Sequence, residues 1–108
     1  MTEILDIEEI IVAAIRSNSS LEVIYKNNLR FVSPYMLGWK KSLKNVLVYQ
    51  YDGYSERGLQ PDGSPENWRC FNLSDISSVD MIAGEWHQPN QLGHDHSHCI
   101  DFVIAQIR

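Results

Sequence analysis

A small β-barrel of five or six strands, mainly β with one N-terminal capping helix, is the fold class this sequence predicts. Three observations carry it. Apolar residues follow helical spacing in one segment only, and that segment leads the chain. From Leu21 onward the apolar period is two, in short runs separated by Gly, Pro, Asn and Asp. The chain has 108 residues, 44% hydrophobic and 21% charged, which suffices for one core and one domain over residues 1–108.

The leading segment, "DIEEIIVAAIRSN", opens on Asp6, placed to cap the helix, with Glu9 three residues on completing a capping box. Ile7, Ile10, Ile11, Ala14 and Ile15 form one apolar stripe. Glu8 and Glu9 suit the positive end of the helix dipole and Arg16 the negative end. "SNSS" stops the helix. Strands then follow in order. "LEVIY" is the first, "KNN" a tight turn, and "LRFVSPY" the second. Pro34 lacks the N–H that a central ladder needs, so it fits an edge, a bulge or a strand end. "GWKKSLK" reads as a connection and "NVLVYQY" as the third and most apolar strand. "DGYSERGLQPDGSPEN" holds two Asp-Gly pairs and two prolines and is expected to be a long surface loop. "WRCFNL" is a fourth strand, and "SDISSVDMIA" a turn leading to a fifth. An irregular His-rich stretch, "GEWHQPNQLGHDHSH", precedes "CIDFVIAQIR", whose β-branched content favours a strand over a short helix.

The formal net charge is −5 and the isoelectric point near 5.2. That balance disfavours non-specific binding to nucleic acid or anionic lipid, which needs excess Lys and Arg, while leaving room for a local basic patch. No run approaches the roughly 20 apolar residues that cross a bilayer. "MTEILDIEEI" has neither the basic region nor the apolar segment of a signal peptide. A cytoplasmic location without membrane contact is the resulting expectation, with Cys70 and Cys99 as reduced thiols.

The pieces also come in a recognisable order. A helix ending in Ala-Ile-Arg leads to an aliphatic strand closing on Tyr25. Arg30 follows, two residues before Val32 and four before Pro34, and then Leu37. After the third strand come Arg69-x-Phe71-x-Leu73 and Ile76. Over about residues 7–82 this set resembles the WYL domain, a small SH3-like or Sm-like β-barrel of bacteria. The Trp-Tyr-Leu triplet that names the family reads Asn45-Val46-Leu47 here, and Trp39 falls in the preceding connection. Asp75 stands where many members carry a basic residue. Only one helix precedes the strands, without the family's usual helix-turn-helix domain, so the resemblance is to a stand-alone, diverged WYL-like domain. Its members mostly regulate transcription or defence systems, and the barrel is thought to bind a negatively charged ligand such as a nucleotide or nucleic-acid fragment. The resemblance therefore implies ligand sensing without catalysis.

Strand parity points to candidate ligand residues. Arg30, Val32 and Pro34 share one face of their strand, as Arg69, Phe71 and Leu73 do of theirs. With Val32 and Phe71 in the core, both guanidinium groups sit inward at strand ends near one rim. A charge taken partly out of water needs a partner. Asp75, Asp80 and Asp101 are internal candidates, and an external carboxylate or phosphate is the other reading, since a planar fork suits either. Phe31 on the opposite face is apolar too, so parity leaves both readings open. Tyr25, Tyr49 and Tyr51 are candidates to line such a site by stacking or hydroxyl hydrogen bonds, or are barrel packing.

"HDHSHC" is the sharpest local composition. His94, His96 and His98 alternate along the chain, and Cys99 or His87 completes a four-ligand set of the kind zinc or nickel accepts. A straight strand would spread the three imidazoles over roughly 13 Å, too far to converge on one ion, so a solvated loop is the competing reading. No nucleophile elbow, phosphate-binding loop or paired-carboxylate pattern points to an enzyme. The reading is a non-enzymatic regulatory domain binding a small anionic or nucleic-acid-derived ligand through Arg30 and Arg69, with no cofactor. The alternatives are a protein-interaction or homodimerisation module presenting Trp39, Trp86 and Tyr54, and a metal-binding protein using the His cluster.

Overall fold

In the computed structural model, which describes residues 4–84, 86–89 and 98–107, the apolar stripe lies on helix α1 (Ile4–Ser17). Ile7, Ile11, Ala14 and Ile15 are buried, with Ile10 packed beside them. Asp6 falls inside the first turn rather than capping it. The helix stops because Asn18 turns left-handed (φ 52°) and the Ser19 N–H returns to the Ala14 carbonyl at 2.9 Å.

Six strands follow, all paired antiparallel: β1 (Ser20–Tyr25), β2 (Asn28–Lys40), β3 (Leu43–Gly53), β4 (Trp68–Asn72), β5 (Ile76–Ile82) and β6 (Phe102–Gln106). Lys26 and Asn27 both take positive φ between Tyr25 and Asn28, the turn that matches the twist of a two-residue hairpin. The expected connection "GWKKSLK" is mostly strand. Lys40 pairs with Leu43, so Lys41 (φ 57°) and Ser42 alone make the turn.

β2 is the spine. β3 lies along one side of it, while its other side pairs first with β1 and then with β6. Pro34 sits where these arrangements change. The β1 ladder ends at Val32, the β6 ladder begins at Met36, and the β3 register shifts between Pro34 and Met36. A residue without an N–H disturbs no ladder there. Gly38 lets β6 close in, because an added Cβ would strike the Phe102 carbonyl and the Ile100 side chain. Gly38→Ala is expected to cost roughly 1–3 kcal/mol as an overpacking defect. Hydrogen exchange at Phe102–Gln106 should rise more than at β1.

Among the described residues the strand order β4-β3-β2-β1-β5 leaves β4 and β5 as ends without a further strand, so the sheet is open where a closed barrel was expected. A short 3-10 turn, Leu73–Asp75, nevertheless joins these two ends, which restrains them to roughly 14 Å at that point. The end of β1 and the turn after it bond to both sides of that 3-10 turn. The Tyr25 hydroxyl accepts from the Asn72 N–H at 3.4 Å, and the Lys26 N–H donates to the Asp75 carbonyl at 3.0 Å. α1 packs across β2, β5 and β6 and closes one core over Val23, Val32, Leu37, Val46 and Phe71.

The thiol expectation is corrected. Cys70, on the outward face of β4 opposite Leu47, is disulfide-bonded to Cys99, with Cα atoms 5.6 Å apart. Leu47, Cys99 and Ile100 form a second small apolar cluster with Met36 and Trp68. The 29-residue separation gave no hint of this, because only the return of the chain to form β6 brings Cys99 beside β4.

Candidate functional site

Two strand parities build the site. On β2, Arg30 and Val32 are buried while Phe31 turns to the other face, where its ring lies 6.5 Å from that of Tyr51. On β4, Arg69 and Phe71 are buried and Cys70 is exposed. β1 brings Tyr25 to Phe71, with ring centroids 3.9 Å apart and planes 10° from parallel. Tyr25, Arg30, Arg69, Cys70 and Phe71 line one cleft of about 260 Å³, with Lys26, Ser55, Glu56 and Arg57 also on its wall. Arg30 and Arg69 therefore face the same cleft.

Arg30 is only 5% exposed. Its guanidinium carbon lies 5.0 Å from the Tyr25 ring centre, 5.3 Å from Phe71 and 5.5 Å from Tyr54. Such contacts are worth about 0.5–2 kcal/mol each, but aromatic faces do not satisfy N–H donors. Among the described residues the buried Nε has no hydrogen-bond partner, and Arg30 makes no ion pair either. Asp101 pairs with Lys40 at 3.2 Å, and Asp75 and Asp80 pair with neither arginine. Gly53 makes this packing feasible. At φ 89° it sits opposite Arg30, and a Cβ there would come within 2.7 Å of the Arg30 Cα.

Arg69 is held differently. Its Nη1 donates to the carbonyls of Glu66 (2.7 Å) and Trp68 (2.9 Å), and its Nη2 to Ser55 Oγ (2.9 Å). It fastens both ends of the long loop while adding its charge to the cleft. Burial, then Arg57, then Arg30 push its pKa below the ordinary arginine value. It remains a cation, as arginine does in proteins. Like charges thus converge: Lys26, Arg30, Arg57 and Arg69 line the cleft against one carboxylate, Glu56. The local sign opposes the chain's net −5.

The loop from Tyr54 to Asn67 is pinned from inside. Gln50, fully buried, donates to the carbonyls of Asp52 (3.1 Å) and Tyr54 (2.7 Å). Tyr49 donates its hydroxyl to the Ser64 carbonyl (2.9 Å) and accepts from the Gly63 N–H (2.7 Å). Asn67 accepts from the Gln60 N–H and donates to its carbonyl, both at 2.9 Å. Tyr49 is therefore a buried anchor outside the cleft, and burial raises its pKa above the usual phenol value.

Tyr51 also lies outside it, stacked on His87 at 3.6 Å. His87 Nδ1 sits 2.6 Å from Asp62 Oδ2, and its main chain is held by Ser33 (3.0 Å) and by Tyr35 (2.8 Å), whose phenol burial pushes up to about 12. His98 is exposed, and His94 and His96 lie outside the described residues. Cys99 is withdrawn from the candidate metal set because its sulfur is bonded to Cys70. Among the described residues no three His, Cys, Asp or Glu side chains come together as a metal site.

The structure thus brings Arg30, Arg69 and Tyr25 together and leaves Tyr49, Tyr51, His87 and His98 elsewhere. Lys26, Ser55 and Arg57 escaped the sequence reading, and Tyr54 entered it only as an exposed aromatic of the interaction alternative. Turn and loop residues show no periodicity, so no local signal marked them. Comparison with protein-family models, curated proteins and solved structures finds no match.

Proposed function

We propose that this chain is a WYL-like sensing domain, related to SH3-like barrels, that binds a small phosphate-bearing ligand such as a nucleotide without chemically changing it. The observation that carries the reading is the guanidinium of Arg30, 5% exposed, with no acidic partner and an orphaned Nε among the described residues, on the wall of a cationic cleft. A buried charge left unpaired costs several kcal/mol, and a phosphate offers acceptors that match its planar fork. The family's regulatory role in bacteria and a cytoplasmic setting belong to the same proposal. In that setting the disulfide would be exposed to reduction.

Titrating nucleotides and short single-stranded oligonucleotides against the wild type, Arg57→Ala and the double variant Arg30→Ala, Arg69→Ala tests it. Arg57 is exposed, so its loss should weaken binding without unfolding the protein. Equal affinity in all three proteins would refute the reading.

One observation favours a second reading, a protein-interaction or dimerisation surface. Phe102 is 72% exposed on β6, followed by exposed Val103 and Ile104. An apolar strand edge of this kind is a template for pairing with another chain. Concentration-dependent solution mass, altered by Phe102→Lys, decides it. By contrast, Trp86 packs on Tyr35 with ring centroids 4.8 Å apart.

A further inference from the structure

We infer that the ligand carries an amino-bearing planar heterocycle beside its phosphate, and that Glu66 and Gln60 of the loop between β3 and β4 read that ring. The inference rests on the anion-binding reading above. A second cleft, of about 320 Å³, adjoins the first and shares Arg57 and Arg69 with it. Its other walls differ in kind. Pro65 and Trp68 are ring surfaces, and Gln60 and Glu66 contribute an amide and a carboxylate. Gly58 adds no bulk, since a Cβ there meets nothing within 4 Å.

Size and charge assign the two halves. Each lobe alone is near or below the lower end of the roughly 300–1,000 Å³ typical of small-molecule sites, and the joined pair suits a ligand of two parts. The phosphate belongs beside Arg30, where cations converge and a buried donor lacks an acceptor. Glu66 repels a phosphate and instead accepts N–H donors, as carboxylates do from the exocyclic amine of cytosine. Flat rings pack on Pro65 and Trp68.

The loop has the construction of a recognition wall. Asn67 holds both main-chain groups of Gln60, and Ser64 Oγ accepts from the Glu66 N–H at 3.2 Å while Arg69 takes the Glu66 carbonyl. Yet the Gln60 and Glu66 residues themselves are exposed. Main chain fixed by buried polar groups, with side chains presented outward, cuts the ordering cost of binding. Long loops packed by their own side chains are commonly functional.

Calorimetric titration with inorganic phosphate, CMP and UMP, on wild type and Glu66→Gln, tests the inference. CMP and UMP differ in the ring group that Glu66 would read. CMP should bind about tenfold more tightly than UMP, the scale of one hydrogen bond to a charged group, and Glu66→Gln should bring the two within about threefold. Because Glu66 is exposed, that variant should keep the wild-type melting temperature. Equal CMP and UMP affinity, or phosphate binding without nucleotide binding, overturns the ring assignment and leaves the anion cleft intact. An unchanged preference in Glu66→Gln does the same. If neither phosphate nor either nucleotide binds, both readings fall.

Discussion

Replacing Arg30 with methionine is expected to stabilise the fold and abolish anion binding together. The side chain sits among Tyr25, Tyr54 and Phe71, an environment that suits a flexible thioether of similar reach. Its charge is desolvated at 5% exposure, and its Nε has no acceptor. Substituting apolar side chains for buried charges is often stabilising by about 1–4 kcal/mol. The lost cation–π contacts offset part of that, so a gain of about 1 kcal/mol is expected in urea unfolding. Affinity for a nucleotide should fall at least about hundredfold, the worth of a charge-assisted bidentate contact. Loss of stability together with retained binding would show that Arg30 is structural. The opposed signs matter, because a residue kept only for folding cannot yield a stronger fold when removed.

Loss of the disulfide has the largest expected effect on stability. Cys70 and Cys99 are 29 residues apart, and closing a loop of that length restricts the unfolded chain by about 3–4 kcal/mol. The double variant Cys70→Ser, Cys99→Ser should unfold at correspondingly lower urea. Wild type in reductant should match it. The bond also draws Cys99 and Ile100 over Leu47, so protection of β6 should fall more than that of β1. Cys70 borders the cleft, but the Arg69 side chain leaves the opposite face of β4, so nucleotide affinity below the unfolding transition should change less than about threefold. Identical urea midpoints with and without reductant would show that the bond contributes nothing.

Elements with strong local periodicity were legible in the sequence. The stripe from Ile7 to Ile15 marks α1, and the alternating runs mark β1, β3 and β4 within a few residues of their observed limits. The conflict between Pro34 and its strand was legible as well, and its resolution at a register change follows from the missing N–H. The connection at "GWKKSLK" was misjudged because charged residues at strand ends look like loop residues. Lys40 and Leu43 flank a two-residue turn that needed neither Gly nor Pro. Among the tyrosines, Tyr25 reaches the cleft, whereas Tyr49 and Tyr51 do not. Aromatic residues favour strands whatever they face, and composition cannot tell an anchor under a loop from a wall of a cleft.

By itself the sequence determined most of the element types, the shared parity of Arg30 with Val32 and of Arg69 with Phe71, and the acidic net charge, since all of these follow from local spacing or composition; which of the two faces turns inward it left open. The tertiary structure alone decided that the sheet stays open, that Cys70 meets Cys99, and that Lys26, Arg57 and Arg69 gather around Arg30. These depend on long-range pairing of β2 with three partners and on a loop pinned from beneath by Tyr49, Gln50 and Asn67. Contacts between residues far apart in the chain leave no period for a sequence to display.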